Sequence, residues 1–506
     1  MKRLLCAFLM LLLMPVAGAF ACAQNEIDVN GDGTLCETAK FTVTTTELAA
    51  DTTFAFYMSA RGTFYVDWGD GTVDTITRTD TDETLYDHTY STAGVKTIRF
   101  GGIATGYYPE ASATVGVAAI RFGYYATTDD ATPHLVASID GSLWAMFPYL
   151  TTSWPRLPMF YNTFAHTNIT SIPENLFFGF TEAGYSMFRR TFANCTYLTD
   201  IPENLFKNIH SNSYLFRETF ANCTALQSIP EDLFKDQTGY HTLFYLTFDG
   251  CTALQSIPAK LFQNIRTAGN WEFYSTFRNC TSLQSIPENL FAGITNAAAY
   301  MFRETFSGCT GLHGYIPPSL FAGLNNSGKY STNMMNQTFY NTNLDTTCPA
   351  GTVQFVTGYE DYWDGHVSCV DENFVCAAGE YLPAHGYECT KCPENNYCVG
   401  GTYTYSENTA YGATQCPNSW YAPRGMSSAD QCGRILHIGE NVVYLRNVKK
   451  TTPSLNVRVD GYTFYGNMTT ADVPMNAGTT AHMKVQFNNE TYSIYDDTVT
   501  PSNYLQ

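Results

Sequence analysis

The stretch TFANCTALQSIPEDLF, residues 219–234, decides how the middle of the chain folds, because close copies of it recur along the sequence. The copies are TFANCTYLTDIPENLF at 191–206, TFDGCTALQSIPAKLF at 247–262, TFRNCTSLQSIPENLF at 276–291 and the looser TFSGCTGLHGYIPPSLF at 305–321. Aligned on their cysteines, the copies follow one another at 28 or 29 residues. A period of this length is typical of proteins built from stacked repeats.

The pattern within one copy predicts a short strand followed by short helical turns. Phe220, Cys223, Leu226 and Ile229 are spaced three apart, which suits a tightly coiling chain that points one side chain inward at each edge. Pro230 follows with an acid beside it, as at the start of a helix. We therefore expect a strand around Leu-x-x-Ile in every repeat and a helix from the proline onward.

A second apolar cluster precedes each cysteine and strengthens the helical prediction. In MFRRTF, residues 187–192, Phe188 and Phe192 are four apart and would share one face of a helix. The flanking copies at 160–177 and 338–344 lack the cysteine, as terminal repeats often depart from the pattern.

The motif F-x-x-C-x-x-L-x-x-I-P-x-x-L-F, carried over about 135–345, resembles the leucine-rich repeats of BspA-like bacterial surface proteins. The resemblance implies a curved α/β solenoid with one short parallel sheet. It also implies adhesion or ligand binding at a bacterial surface.

One polar column beside the buried leucines is the candidate binding surface. It consists of Gln227, Gln255 and Gln284, with Thr199 at the equivalent position. The stacking of repeats places these residues at one height, where they would meet a ligand. The alternative is a ladder of side-chain hydrogen bonds that serves only the fold.

The repeat cysteines are expected to form a column of free, buried thiols, because five side chains pointing the same way leave no simple pairing. The column consists of Cys195, Cys223, Cys251, Cys280 and Cys309. The triplet Asn-Cys-Thr at Asn194, Asn222 and Asn279 matches a glycosylation sequon, but it is also what a repeated bend would contain.

The first residues, 1–23, have the pattern of a secretory signal peptide. Lys2 and Arg3 precede an apolar run at 4–16, and small residues follow. A membrane anchor is the alternative, although the run is shorter than the roughly 20 residues that span a bilayer. Lipoprotein processing at Cys22 is a third reading. We expect an exported protein, secreted or at the cell surface.

Residues 24–41 form an acidic leader with the pattern of a calcium loop. Asp28, Asn30 and Asp32 have the spacing of the first ligands of such a loop, with Gly33 at the bend. The last position would be Ala39, which has no carboxylate. The sequence leaves two readings, a weak calcium site and a polar turn without metal.

Residues 42–126 read as strands and resemble PKD-type domains. The resemblance rests on TFYVDWGDGTVDT at 63–75 and DHTYSTAGVKTIRF at 87–100. It implies an immunoglobulin-like β-sandwich that acts as a spacer or as a sugar- or protein-binding module. The acids of the WGDG turn are most simply solvated turn residues.

The segment 351–433, together with one cysteine just before it, predicts disulfides. An even number of cysteines among Gly, Tyr and Pro in an exported chain favours covalent pairing. Zinc is the rival, since Cys389-x-x-Cys392 fits half of a site. The connectivity stays open. The eight candidates are Cys348, Cys369, Cys376, Cys389, Cys392, Cys398, Cys416 and Cys432.

These segments predict a multidomain α+β chain. It comprises a signal peptide, an acidic leader, an N-terminal immunoglobulin-like β-sandwich, a central leucine-rich-repeat α/β solenoid, a disulfide-rich segment and a C-terminal small β-module. The boundaries are 1–23, 24–41, 42–126, 127–350, 351–433 and 434–506.

Composition limits the function. The chain of 506 residues has 46 acids against 27 bases, a net charge of -19, which argues against nucleic acid or an anionic membrane as partner. No familiar catalytic motif stands in it, and no later segment reads as a transmembrane span. We expect a non-enzymatic adhesin that binds a protein or glycan outside the cell. A glycan-binding accessory protein and a structural surface-layer component are the alternatives.

Overall fold

The computed structural model places most of the chain as far as residue 432, and beyond it the backbone of six strands. The described residues are 22–23, 25–108, 117–122, 132–150, 158–210, 213–239, 242–325, 331, 333–356, 363–416, 422, 424–429, 432–438, 441–446, 454–459, 462–467, 481–487 and 490–496. They form two compact units. The first comprises Met1–Gly314, Leu320–Leu344 and Asp361–Gly365, and the second Tyr315–Ser319, Asp345–Glu360 and His366–Gln506.

The first unit begins with antiparallel sheets. Its strands β3, Phe41–Thr45, and β5, Arg61–Asp67, alternate buried and half-buried residues, as strands with one face on a core do. A five-stranded sheet has the order β10-β3-β8-β5-β6, a three-stranded sheet the order β7-β4-β9, and β1 pairs with β2. The strands are β1 Glu26–Asp28, β2 Cys36–Thr38, β3 Phe41–Thr45, β4 Thr52–Met58, β5 Arg61–Asp67, β6 Val73–Arg78, β7 Thr84–Tyr90, β8 Thr97–Gly106, β9 Ile120–Arg121 and β10 Val136–Gly141.

The larger sheets share an aromatic core. Phe56 of β4 meets Phe100 of β8 edge to face, with ring centroids 5.2 Å apart. Phe122, just after β9, lies 6.0 Å from Phe41 of β3. All four rings are buried. A 3-10 helix at Thr132–Leu135 precedes β10, and the short helix α1, Leu143–Met146, follows it.

The α+β fold class predicted from the sequence is wrong, since the described residues are mainly strands and turns and contain no α/β leucine-rich-repeat solenoid. Among the described residues the α-helices are α1 and α2, Ala322–Asn325, and no regular strand falls within 158–321. Turns occupy both segments that were expected to be helical. At the expected helix start, the N–H of Leu205 donates to the carbonyl of Pro202 three residues back, at 3.2 Å.

A four-residue turn period replaces the helix. In the repeat that begins at Tyr214, positive φ occurs at Tyr214, Glu218 and Asn222, each four residues after the last. Between them Leu215 and Phe216 point inward as a pair. Apolar residues four apart therefore arise here from successive turns, and the same spacing produced the false prediction of a helical face.

Successive backbone N–H groups alternate between two kinds of acceptor, a carbonyl in the same repeat and a carbonyl in the next repeat. The N–H of Phe220 donates to the carbonyl of Thr247 in the next repeat at 2.9 Å. The N–H of Ala221 donates to the backbone carbonyl of Glu218, three residues back in the same repeat, at 3.2 Å. Because of this alternation, the buried backbone N–H and C=O groups have hydrogen-bond partners although they form no strand or helix. Buried backbone groups need such partners.

Side chains reinforce this ladder in continuous columns. The hydroxyl of Thr219 donates to the carbonyl of Phe188 in the preceding repeat at 2.9 Å, and Thr247 repeats the contact with Phe216 at 2.9 Å. Phe220 lies parallel to Phe192 and Phe248, with centroids 5.5 Å apart on both sides. Each repeat thus buries its apolar side chains largely against its neighbours.

Aromatic rings cover both ends of the repeats. At the first end Phe164 stacks on Phe122, with centroids 5.8 Å apart, and also contacts Phe41. At the other end Phe339 meets Trp363 edge to face at 6.3 Å. The terminal rings are therefore packed within the first unit.

The second unit consists of short antiparallel pairs. Its strands are β11 Thr352–Gln354, β12 Cys369–Asp371, β13 Asn373–Cys376, β14 Glu380–Tyr381, β15 Thr390–Lys391, β16 Asn396–Tyr397, β17 Gly401–Thr404, β18 Thr414–Gln415, β19 Gly433–Ile438, β20 Asn441–Arg446, β21 Ser454–Val459, β22 Tyr462–Asn467, β23 Ala481–Phe487 and β24 Glu490–Asp496. The last four form one sheet in sequence order.

The prediction of disulfides is confirmed, and all eight candidate cysteines are paired. Cys389 and Cys392 lie in different disulfides, so they hold no zinc as thiolates. The pairs are Cys348–Cys369, Cys376–Cys389, Cys392–Cys398 and Cys416–Cys432. A fifth, Cys22–Cys36, joins the end of the predicted signal segment 1–23 to the acidic leader 24–41.

Candidate binding surface of the repeats

The glutamine column lies on the surface, as a binding surface would require. Gln227, Gln255 and Gln284 are exposed, and Thr199 is half-buried. Their backbones are joined: the N–H of Gln255 donates to the carbonyl of Gln227 at 3.2 Å, and Gln284 to Gln255 at 3.3 Å. The ladder at this column therefore runs through the backbone, which leaves the amide side chains directed at solvent.

A second column, which the sequence analysis did not single out, carries arginine and tyrosine. Arg189 lies over the ring of Tyr161 at 5.3 Å, and Arg217 over the ring of Tyr245 at 4.8 Å. Tyr245 stacks on Tyr274 with centroids 4.8 Å apart. We call these five residues, with Arg303 over Tyr274 at 5.7 Å, the arginine–tyrosine column.

Carboxylates bind the arginines of this column, together with Arg190 and Arg278 beside it, in two groups. Glu218 accepts from Arg190 at 3.0 Å and from Arg217 at 2.9 Å, and Arg189 lies 3.9 Å away. In the second group, Arg278 pairs with Asp249 at 2.8 Å and with Glu304 at 3.4 Å, and Arg303 also pairs with Glu304. The two groups differ in charge, because the first has three bases to one acid and the second has two of each.

The cysteine column is buried and free of disulfides. The thiol of Cys223 donates to the carbonyl of Phe192 at 3.2 Å, and Cys195 and Cys251 bind carbonyls of their preceding repeats in the same way. Burial raises the pKa of Cys195 to about 12, so the group stays a neutral thiol. Cys280 and Cys309 continue the column, with thiols 3.3 and 2.9 Å from the carbonyls they bind.

The asparagines of the sequons are turn residues with positive φ. The φ angles of Asn194, Asn222 and Asn279 are 61°, 58° and 59°. Asparagine tolerates this region, and glycine takes the same position at Gly250 and Gly308. The amide of Asn222 donates to the side chain of Asn194 at 3.0 Å. The backbone turn accounts for these asparagines.

The acidic leader folds as a tight turn around Asp28. Both carboxylate oxygens of Asp28 accept backbone N–H groups, from Gly31 and Gly33, each at 2.9 Å. Asn30 accepts from Leu35, and Asp32 accepts from Thr34. All three predicted calcium ligands thus hold the turn together, which is the arrangement expected of the polar-turn reading.

The cysteine that would carry a lipid is engaged in the same region. Cys22 is bonded to Cys36, so its sulfur is not available for a thioether in this structure. The predicted signal segment lies, up to residue 21, outside the described residues.

The acids of the WGDG turn are bound within the first unit. Asp70 accepts from His88 at 2.7 Å, and Asp67 binds Arg99 at 2.9 Å. The ring of His88 stacks on Trp68 with centroids 5.0 Å apart. These acids therefore anchor the turn to neighbouring strands and are not simply solvated.

Glu272 is a buried carboxylate that the sequence analysis missed. It occupies a position held by Met187, Leu215, Leu243 and Met301 in other repeats. Its oxygens accept the N–H groups of Leu243 at 3.1 Å and Gly269 at 3.0 Å. Burial raises its pKa to about 7, while those backbone donors act in the opposite direction. Its signal in the sequence is an acid at a position that is apolar in the other repeats.

Among the described residues no helix has the length and apolar character needed to cross a bilayer. No protein-family model, no curated protein and no solved structure matches the chain. The resemblances to BspA-like and PKD-type proteins therefore rest on the sequence motifs alone.

Proposed function

We propose that the chain is an exported, non-enzymatic binding protein whose repeats present a surface to a protein or glycan outside the cell. One observation carries the proposal. Equivalent polar side chains, Gln227, Gln255 and Gln284, recur on the surface at repeat spacing and are joined through their backbones. A regular array of this kind offers the same contact several times, so weak contacts add up through multivalency.

Export is part of this proposal. The described residues contain five disulfides. Disulfides form in oxidising compartments and are rare in the cytosol. The basic and apolar pattern of residues 1–16 points the same way. The protein would meet its ligand at the surface or beyond it, as the resemblance to bacterial surface proteins implies.

The experiment compares the full secreted chain with a triple variant, Q227A/Q255A/Q284A, on an array of matrix proteins, mucins and glycans. We expect saturable binding of at least one ligand and a loss of at least tenfold in affinity for the variant. The matched control changes Lys207, Lys235 and Gln263 to alanine, since these residues also share one position of three successive repeats. Absence of any saturable binding contradicts the proposal, and equal losses in both triple variants remove the glutamine column from it.

A further inference from the structure

Three arginines converge on one carboxylate near the start of the repeats. Arg189, Arg190 and Arg217 lie 3.9, 3.0 and 2.9 Å from Glu218, measured between the charged atoms. We call the three arginines the cationic cluster. Arg189 and Arg217 occupy the same position in successive repeats, so the stacking of repeats brings like charges together.

The charge at this place is opposite to that of the chain. Three bases and one acid leave a surplus of two positive charges, in a protein whose net charge is -19. The second group of the column is a built-in comparison, because Arg278 and Arg303 meet Asp249 and Glu304 and are balanced. Like charges at close range repel, and an anionic ligand would relieve that repulsion.

The cluster is accessible from solvent. The side chains of Arg189, Arg190 and Arg217 are 17%, 21% and 29% exposed. Guanidinium groups present planar donors that match a carboxylate with two parallel hydrogen bonds. The three guanidinium groups are therefore partly exposed, and their solvent-facing N–H groups are the donors for an incoming anion.

Neutral polar side chains of the kind that bind sugar hydroxyls occur in the same part of the repeats as the cluster. Tyr161 and Tyr245 have arginines of the cluster over their rings, and both tyrosines are half-buried. The amides of Asn194 and Asn222 form a polar row in the same two repeats. Burial raises the pKa of Tyr245, so its hydroxyl remains a proton donor.

We propose that the cationic cluster binds carboxylate groups of an acidic glycan, with the neighbouring tyrosines and asparagines facing its neutral hydroxyls. The inference rests on the proposed function and names the ligand class. A cluster of three arginines in an acidic chain fits spaced anionic groups. Nucleic acid, with a charge at every residue, would meet repulsion from the rest of the surface.

The test uses three polymers with one backbone: dextran, carboxymethyl-dextran and dextran sulfate. The full secreted chain should bind carboxymethyl-dextran, more weakly as salt rises, and should not bind neutral dextran. Binding of dextran sulfate through the cluster, without binding of carboxymethyl-dextran, would overturn the carboxylate assignment and point to sulfate groups. A polyglutamate peptide is the fourth probe. If it alone binds through the cluster, the glycan assignment is overturned.

Variants with opposite expected effects on affinity separate a loss of binding from a loss of folding. R189Q/R217Q should weaken binding by at least tenfold, and E218Q should strengthen it, since the surplus charge rises. R189K/R217K keeps the charge without the paired donors and should fall between. K207Q removes an exposed base outside the cationic cluster and should change the affinity less than twofold. Thermal unfolding of each variant verifies the fold.

The outcomes separate this inference from the proposed function. If R189Q/R217Q binds every anionic polymer within twofold of the unchanged chain, the cationic cluster is not the site. If E218Q folds normally yet weakens binding, the charge argument is wrong. In either case, ligands on the array of matrix proteins, mucins and glycans that depend on the glutamine column would still support the proposed function. If nothing on that array binds, both the proposed function and this inference are contradicted.

Discussion

Glu272 makes the stability of the repeats depend on pH, and the effect can be worked out from its surroundings. The side chain is fully buried, and its folded pKa of about 7 lies above its ordinary value of 4.5. Between these two values the unfolded chain has released the proton while the folded chain retains it. Stability must therefore fall as pH rises through this window. Each pH unit removes about 1.4 kcal/mol, so the whole loss is about 3 kcal/mol.

The variant E272Q isolates this contribution. The amide does not titrate, so the free energy of unfolding of the unchanged chain minus that of E272Q should fall by about 2–3 kcal/mol between pH 5 and pH 8. Other titrating groups cancel in the difference. Glutamine also has only one acceptor oxygen, so one of the N–H groups of Leu243 and Gly269 loses its partner, at about 1–3 kcal/mol at every pH.

The assay is urea unfolding at several pH values, followed by hydrogen exchange at the amides of Leu243 and Gly269. E288Q is the control, because Glu288 is an exposed carboxylate in the same part of the repeats. The pH dependence of the difference between E288Q and the unchanged chain is the baseline against which that of E272Q is compared. A flat difference for E272Q, within about 0.5 kcal/mol from pH 5 to pH 8, would refute the reasoning, since the expected change is several times larger.

Three further predictions concern the columns. F220A removes a ring stacked on both sides and should lower the free energy of unfolding by about 3–5 kcal/mol in urea titration, whereas F178A, at a ring 72% exposed, should change it by less than about 0.5. T247V leaves a carbonyl without its side-chain donor and should lose about 1–3 kcal/mol; a loss no larger than that of T281V at the surface would contradict the buried ladder. The thiols of the Cys195 column should be inert to a thiol reagent at pH 8 and react only after denaturation; reaction in the native protein, or no thiol after denaturation, would disprove their buried, free state.

Several properties of the repeats could be predicted from the sequence because they depend only on spacing. The period follows from the cysteines. The burial of residues such as Leu226 and Ile229 follows from their recurrence beside other apolar positions. The disulfides follow from an even number of cysteines in a loop-rich segment. Their connectivity did not follow, because it depends on which strands meet.

The secondary structure of the repeats could not be predicted, because a helix and a series of four-residue turns give the same apolar spacing. Phe188 and Phe192 are four apart, which suits a helical face, but it also suits turns that repeat every four residues. The cationic cluster was missed for a related reason. Nothing in the sequence distinguishes Arg189 and Arg217 from other arginines of the chain. Only the stacking of their repeats brings both side chains to Glu218.

Positive φ at side chains that avoid it shows what determines this fold. Asn222 and Gly250 suit that conformation, but Glu218, Leu246 and Trp271 adopt it too, with φ of 56°, 57° and 58°. Such residues pay about 1–3 kcal/mol in strain. Each of these three N–H groups donates to the carbonyl of the next repeat, at 2.9, 2.9 and 3.0 Å. Contacts between repeats therefore override local preference, and a sequence pattern read within one repeat cannot give the backbone conformation.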